Sequence, residues 1–299
     1  MIDFQDRVAI VTGAGGGLGR SHALLLAGRG ASVVVNDLGG EVGGSGSSET
    51  PAQQVVDEIV AAGGSAVAEY SSVATPDGGD AIVAKALEEF GRVDIVVNNA
   101  GILRDKSFGK LEWPDLDAVI DVHLKGAFYV TRAAFAHMKE QNYGRVVVTS
   151  SNAGLFGNFG QTNYGAAKLG LVGFMNVLKI EGAKNNIKVN AIAPVAHTRM
   201  TEELLGPLAE MLQPEQVSPA VAYLCSEACE LTGEIWSAAG GSVSRIFIGL
   251  TDGYFKPASD GPLTIEDVQD NLEVIRDPDG HIVPFSIQDE LSKLGPKFG

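Results

Sequence analysis

The N-terminal part of the chain places a glycine-rich turn between a strand and a helix. An apolar run with strand character, Arg7–Val11, leads into Thr12–Gly19, and the segment Arg20–Ala27 is typical of a helix. Such a turn lets the backbone approach a phosphate, which rests on the positive end of the helix dipole. The pattern predicts a nucleotide site at the first turn of a parallel sheet. The expected contact residues are Gly13, Gly16, Gly17, Leu18 and Gly19.

A second predicted strand, Ser32–Asn36, is followed by an acidic residue. Asp37 lies eighteen residues beyond Gly19. A carboxylate at this place can accept hydrogen bonds from both hydroxyls of an adenosine ribose, and it repels a 2′-phosphate. The glycine turn contains no Lys or Arg, and none directly follows Asp37. These residues predict that the cofactor is NAD rather than NADP.

The alternation of strand and helix continues along most of the chain. Strands are predicted at about 7–12, 32–37, 66–70, 93–98, 144–150, 187–192 and 234–238. The fold class expected from this order is α/β, with a single Rossmann-type doubly wound parallel sheet and helices on both of its faces.

Two segments break the alternation. Residues 38–51 are rich in Gly and Ser and are predicted to form a mobile loop beside the adenosine end of the site. Residues 249–299 lack the repeating pattern and carry five of the twelve prolines. We expect a nucleotide-binding domain over 1–248 and a C-terminal extension over 249–299, packed on that domain or on a partner subunit.

A tyrosine and a lysine stand four residues apart in a predicted helix. This spacing puts Tyr164 and Lys168 on one face, one turn apart. A nearby ammonium stabilises a phenolate and lowers the phenol pKa, which is about 10 in water. Ser151, thirteen positions before Tyr164, could hold a substrate oxygen against the phenol. Most Tyr–Lys pairs at this spacing are solvated helix faces, so the pair acquires meaning only from the nucleotide site in the same chain.

Five motifs together resemble those of the short-chain dehydrogenase/reductase family. They are the glycines Gly13, Gly17 and Gly19, the turn Asn98–Gly101, Ser151, the pair Tyr164 and Lys168, and the strand end Asn190–Pro194. The resemblance implies that Tyr164 is the general base in oxidation and the general acid in reduction. It also implies that Ser151 binds the substrate oxygen and that Lys168 holds the nicotinamide ribose. Further cofactor contacts implied by it are Asn99, Ala100, Gly101, Tyr164, Pro194 and Thr198.

Three runs resemble one subfamily, the (3R)-hydroxyacyl-CoA dehydrogenase units of multifunctional enzymes and their bacterial stand-alone relatives. The runs are Asn36–Gly40, Asn98–Asp105 and Gly157–Tyr164. This resemblance implies an acyl-CoA ester as substrate. One alternative is a short-chain dehydrogenase that acts on a steroid or another secondary alcohol. A second alternative, a non-catalytic NAD-binding protein, is disfavoured because Tyr164 and Lys168 are both present.

The chain departs from the family pattern at two places. His123 stands where many members have an Asn that helps a water relay reach the lysine, so an imidazole relay is one interpretation. A histidine packed in a subunit interface is the other. In the predicted adenine pocket, serines replace the usual Asp, so adenine recognition is expected to rest on backbone groups near Ser72 and Val73.

Charge and hydropathy narrow the classes of partner. A formal net charge of −15 argues against nucleic acid and anionic membranes. A CoA ester is itself polyanionic, so a local basic patch is expected, to which Arg104, Lys106 and Lys110 could contribute if they are not simply a solvated loop. No run of about eighteen apolar residues, secretion signal or peroxisomal C-terminal signal is present, which predicts a cytoplasmic protein.

The remaining expectations concern assembly and the reactive side chains. The family resemblance implies a homodimer or homotetramer paired through helices around 112–140 and 163–182, with apolar positions such as Phe128, Ala134, Leu171 and Phe174. Cys225 and Cys229 are expected to be reduced and to share one helix face. No metal site is predicted, because the other histidines share no metal-ligand spacing: His22, His137, His197 and His281.

Overall fold

Among the described residues, eight strands form one sheet that organises the protein. The structure is a computed structural model that describes residues 1–196 and 210–298. The strand order is β3-β2-β1-β4-β5-β6-β7-β8, and each pair from β3 to β7 is parallel. The strands are β1 Val8–Thr12, β2 Ser32–Asn36, β3 Ser65–Glu69, β4 Ile95–Asn98, β5 Gly144–Thr149, β6 Ile187–Val195, β7 Ile235–Ala239 and β8 Ser242–Ile246. The predicted Rossmann-type fold is confirmed.

The helices that connect the parallel strands are α1 Gly17–Gly28, α2 Thr50–Ala61, α3 Pro76–Phe90, α4 Trp113–Ile120, α5 Gly126–Gln141, α6 Asn152–Phe156, α7 Thr162–Glu181 and α8 Ser218–Cys225. Three short helices follow the last strand: α9 Ile265–Asp270, α10 Leu272–Arg276 and α11 Ile287–Leu294. A π-helical turn, Asp121–Lys125, joins α4 to α5. α8 ends at Cys225, so the prediction that both cysteines share one helix face is wrong, although both thiols are free and buried.

The strand predictions missed one strand and shortened another. β8 follows β7 through a turn of two residues, Gly240 and Gly241, both with positive φ, so it runs back along the sheet edge. β6 extends three residues past the predicted end and includes Pro194. β5 pairs with β6 only as far as Ile192, whereas β7 pairs with it to the end. A proline is tolerated there because β6 has a single strand neighbour beyond Ile192.

The chain separates into two compact units, Met1–Arg245 and Ile246–Gly299. The second unit has its own internal contacts. Leu250 pairs with Ile282 through an antiparallel bridge, and the rings of Phe247 and His281 stack at 5.5 Å. The expected packing of the extension on the domain or on a partner stays a prediction.

The sheet topology brings the predicted site residues to one edge. The strands β1, β2, β4 and β5 are parallel neighbours, and their carboxyl ends lead into Gly13, Asp37, Asn99 and Ser150. Ligands of open α/β sheets bind outside these strand ends, where the strand order reverses. Here the reversal lies between β1 and β4.

Candidate active site

The glycine turn has the geometry that its sequence predicted. Gly13 and Gly17 adopt φ values of +64° and +51°, which favour glycine. A side chain at Gly19 would collide with the carbonyl oxygen of Gly13. Helix α1 begins at Gly17, its N-cap Gly16 makes no side-chain hydrogen bond, and its first turn contains no acidic residue. The N–H groups at this helix end therefore suit an anion.

The turn Asn98–Gly101 clamps the glycine turn in place. Thr12 Oγ1 accepts hydrogen bonds from Asn99 N at 3.0 Å and from Ala100 N at 3.1 Å. Asn99 Nδ2 donates to Thr12 O at 3.0 Å and to Gly13 O at 3.1 Å. The contribution of Thr12 was not predicted; a polar residue at the end of an apolar strand was its only signal.

Asp37 holds two backbone segments at the end of β2. Its Oδ2 accepts from Gly15 N at 2.7 Å, and its Oδ1 accepts from Gly39 N at 2.6 Å. Each carboxylate oxygen can accept a further hydrogen bond, so the side chain keeps the capacity to bind ribose hydroxyls.

A cleft of about 420 Å³ lies over these residues. Ten of the predicted cofactor residues line it: Gly13, Gly16, Gly17, Leu18, Asp37, Ser72, Val73, Asn99, Ala100 and Gly101. Gly19, Tyr164, Lys168 and Pro194 are not among its lining residues, and Thr198 lies outside the described residues. The cleft thus collects residues from four strand ends into one elongated site.

Residues 38–49, the cover loop, belong to the segment 38–51 that was predicted to be mobile; they fold along this cleft, and their mobility stays a prediction. Ser48 N donates to Leu38 O within the loop at 2.9 Å. Leu103 N donates to Val42 O at 3.0 Å, and Arg104 Nε donates to Gly43 O at 2.9 Å. The bonds from Leu103 and Arg104 tie the loop to a distant part of the chain.

Ser151, Tyr164 and Lys168 stand at the end of β5 and along α7. Ser151 is the N-cap of α6, where its Oγ accepts a hydrogen bond from Ala153 N at 3.1 Å. Lys168 is buried, and its Nζ donates to Thr149 O at 2.6 Å. Burial lowers the pKa of Lys168 to about 7. This amine can therefore hold or release a proton near neutral pH.

The pKa of Tyr164 is raised, opposite to the direction predicted from its spacing to Lys168. Burial is the largest cause, a hydrogen bond with the Ser151 side chain opposes it, and the charge of Asp105 adds to it. Lys168 Nζ lies over the Tyr164 ring, 5.4 Å from its centroid, and donates its hydrogen bond to Thr149. The spacing predicted that the two residues form a pair, but it could not predict the burial that has the largest effect on the pKa of Tyr164.

His123 is buried beside this pair. Its Nε2 lies 3.0 Å from Ile102 N and 2.8 Å from Ile102 O, and its ring meets that of Tyr164 edge-on at 5.2 Å. A side chain at Gly101 would collide with the imidazole. Burial, with a smaller effect of Lys168, holds the pKa of His123 well below its usual value. The imidazole is therefore neutral at neutral pH.

A small cavity lies between His123 and Lys168. Its volume is about 10 Å³, which is room for about one water. Thr12 and Asn98 also line it. His123 Nδ1 and Asn98 Oδ1 are buried without a hydrogen-bond partner among the described residues. The cavity thus brings two unsatisfied polar groups to the lysine.

The expected basic patch is only partly available. Arg104 is engaged with Gly43 and, through Nη1, with Asp115 Oδ1 at 3.4 Å. Lys106 and Lys110 are exposed. Four exposed aromatic residues lie on the same segment and on the segment that precedes Tyr164: Phe108, Trp113, Phe156 and Phe159. The two segments are joined by a hydrogen bond from Lys106 N to Gly160 O at 2.9 Å.

The sequence model of the short chain dehydrogenases matches residues 7–206. The chain belongs to this family. It is an oxidoreductase, as the family resemblance implied, and the family uses NAD or NADP. In the part of the chain that the structure describes, none of the helices has the length and apolar character needed to cross a membrane.

Known proteins similar to this dehydrogenase include stand-alone and multidomain members. A short-chain type dehydrogenase/reductase of Mycobacterium tuberculosis is 55% identical over 92% of this chain and 96% of its own length. Peroxisomal multifunctional enzyme type 2 of mouse is 51% identical over 97% of this chain but 39% of its own. The solved full-length Drosophila melanogaster enzyme of that name superposes with a TM-score of 0.83 at 43% identity, covering 99% of this chain and 50% of that one.

Proposed function

We propose that this chain is an NAD-dependent dehydrogenase that interconverts (3R)-3-hydroxyacyl-CoA and 3-oxoacyl-CoA. The observation that carries the proposal is the 51% identity, over nearly the whole chain, to peroxisomal multifunctional enzyme type 2. The grouping of Ser151, Tyr164 and Lys168 beside a nucleotide cleft supports it. Because the chain spans 39% of that relative, the proposal concerns the dehydrogenase reaction alone.

The charges of the cleft favour NAD over NADP. Its lining includes the carboxylates of Asp37, Glu41 and Asp121. Arg104, the single Lys or Arg among the lining residues described, is engaged with Gly43 and Asp115. A 2′-phosphate would therefore meet uncompensated negative charge, whereas ribose hydroxyls could donate to Asp37.

Proton transfer is assigned to Tyr164. In reduction its neutral phenol donates a proton to the substrate oxygen, and in oxidation its phenolate accepts the proton of the substrate hydroxyl. Ser151 orients that oxygen and stabilises the developing alkoxide. NAD, when bound, supplies the hydride acceptor. Lys168 then exchanges its proton through the small cavity, where the neutral His123 can act as a relay through Nδ1.

The exposed rim beside Tyr164 suits a CoA ester. Phe108, Trp113, Phe156 and Phe159 offer apolar surface to an acyl chain or to a pantetheine arm. Lys106 and Lys110 offer cations to phosphates on a chain whose net charge is −15. This rim favours an acyl-CoA over a compact steroid, which would not need the lysines.

We expect purified enzyme to oxidise (3R)-hydroxyacyl-CoA at least about a hundredfold faster than the (3S) enantiomer. Tyr164 and Ser151 hold the substrate oxygen on one side of the carbon, so one enantiomer alone directs its hydrogen at the nicotinamide. NADH formation would be followed by absorbance with each enantiomer separately. A steroid alcohol serves as the control substrate. Equal rates, a (3S) preference or faster steroid oxidation would each contradict the assignment.

We also propose a homodimer or homotetramer whose subunits pair through α5 and α7. Two of the predicted contact residues are wrong, because Ala134 and Leu171 are fully buried within the subunit. Phe128 is 46% exposed and packs on Phe174, with ring centroids 4.3 Å apart. Further exposed apolar residues on α7 are Leu169, Val177 and Ile180.

Light scattering at micromolar concentration is expected to give a mass of at least twice that of one chain. Phe128→Asp should convert the protein to monomers, since a carboxylate would be buried without a partner in the interface. Phe108→Asp, which changes an exposed ring on another surface, is the matched control and should leave the mass unchanged. A monomeric wild type would refute the proposal.

The predicted cytoplasmic location stays a prediction, because several relatives are named as peroxisomal.

A further inference from the structure

The runs Asn98–Asp105 and Gly157–Tyr164, which carry the resemblance to hydroxyacyl-CoA dehydrogenases, are hydrogen-bonded to each other. Gln161 Nε2 donates to Asp105 Oδ2 at 2.6 Å. Asn163 Nδ2 donates to the carbonyl oxygen of Arg104 at 3.0 Å. The second run leads directly into the tyrosine of the active site. The two runs therefore form one hydrogen-bonded unit around the start of α7.

Gln161 fixes the orientation of Asp105 in this unit. Its side chain is buried, and its Oε1 accepts a hydrogen bond from Asn158 Nδ2 at 3.0 Å while its Nε2 donates to Asp105. Its backbone carbonyl accepts from Gly165 N at 2.7 Å, in the first turn of α7. An amide with both ends paired has one preferred orientation. Asp105, although exposed, is thus held next to the helix that carries Tyr164.

The charge of Asp105 acts on Tyr164 in a definite direction. It raises the pKa of the phenol, as burial does more strongly, while the Ser151 hydrogen bond lowers it. Although the residue as a whole is exposed, partial burial of its carboxylate also raises the pKa of Asp105 itself, against the effect of the Gln161 hydrogen bond. The other ionisable groups around this corner are the buried Lys168, the neutral His123, the ion pair of Arg104 with Asp115, and the exposed Lys106.

We propose that Asp105 is a positioning residue: held by Gln161, its carboxylate fixes the start of α7 and acts through its charge on the Tyr164 hydroxyl. The inference rests on the proposed dehydrogenase function. A protonated phenol donates the proton in reduction and a phenolate accepts it in oxidation, so a negative charge near the phenol raises the pH at which oxidation begins.

Asp105→Asn tests the charge without removing the hydrogen-bond acceptor. The amide oxygen of Asn can still accept from Gln161 Nε2. We expect the acid limb of kcat/KM for oxidation to move to lower pH by about half a unit to one unit, because the phenol loses a neighbouring negative charge. The Tyr164 phenol, titrated by ultraviolet difference absorbance without cofactor or substrate, should shift in the same direction. Tyr164→Phe assigns its signal.

Two variants separate charge from position. Glu112→Gln removes a carboxylate from the same surface segment and is expected to leave both titrations unchanged. Gln161→Ala keeps the charge of Asp105 but removes the hydrogen bond that holds its carboxylate. A loss of about tenfold in kcat is expected, because the tyrosine would be misplaced. Thermal unfolding of each variant shows whether it remains folded.

The proposal is overturned if Asp105→Asn titrates like the wild type, or if Glu112→Gln shifts by the same amount. Because the phenol titration needs no turnover, it distinguishes this failure from failure of the proposed function. An enzyme that is inactive on hydroxyacyl-CoA but shows the Asp105→Asn shift would refute the substrate assignment and leave the effect of Asp105 on Tyr164 standing.

Discussion

Tyr164→Phe is expected to lower kcat by about a thousandfold, because it removes the proton-transfer group and leaves water as its replacement. Affinity for NADH should change little, since the phenol acts in the transition state and is not among the residues that line the nucleotide cleft. Turnover would be measured by NADH absorbance, and cofactor affinity by fluorescence titration.

Tyr129→Phe is the matched control for this variant. Tyr129 lies on α5 and lines a surface groove with Pro76 and Arg132, and neither Ser151 nor Lys168 is among the lining residues of that groove. Its replacement should leave both measurements near the wild-type values. If Tyr164→Phe lost cofactor affinity as strongly as turnover, the assignment of the phenol to chemistry alone would be wrong.

Asp37→Asn is expected to reduce the preference for NAD over NADP by a factor of about a hundred. The wild type should strongly prefer NAD, since a 2′-phosphate would face the Asp37 carboxylate. The amide removes this repulsion but binds ribose hydroxyls less well. It can also accept only one of the two bonds that now tie Gly15 N and Gly39 N to the side chain. We therefore expect weaker NAD binding together with improved NADP binding, compared as kcat/KM.

Glu41→Gln separates a local from a general electrostatic effect. Glu41 also lines the cleft and carries the same charge. If the preference arises at Asp37, this control keeps it. An equal change in both variants would assign the preference to the overall charge of the cleft, and comparable wild-type efficiency with the two cofactors would contradict the NAD assignment.

Local patterns predicted the fold and the cleft. Each parallel strand is an apolar run bounded by glycine or polar residues, and seven of the eight strands were located within three residues of their ends. The glycine turn could be placed because Gly13 and Gly17 need a backbone conformation that other residues avoid. β8 was missed because Ser242–Ile246 is exposed and has polar residues at three of its five positions, so it lacks an apolar run.

Properties that depend on distant contacts could not be predicted in this way. Nothing in the composition of residues 38–49 indicates that Leu103 and Arg104 would anchor them. The pKa of Tyr164 follows from burial, which depends on the packing of α4, α7 and the π-helical turn around it. Leu171 has the same apolar character as an interface residue, and only the fold shows that it faces the core.

The cover loop is attached mainly through backbone atoms, which are the same in every residue type. Leu103 and Arg104 bond to carbonyl groups, and these bonds depend on how many residues separate Asp37 from Val42. Most residues of this loop can therefore be substituted in related chains, whereas an insertion or a deletion would move Val42 out of hydrogen-bonding distance of Leu103. Gly39, Gly44 and Gly46, with φ values of +71°, +82° and +75°, are the exceptions. Evolution of this segment should conserve its length more strictly than its composition.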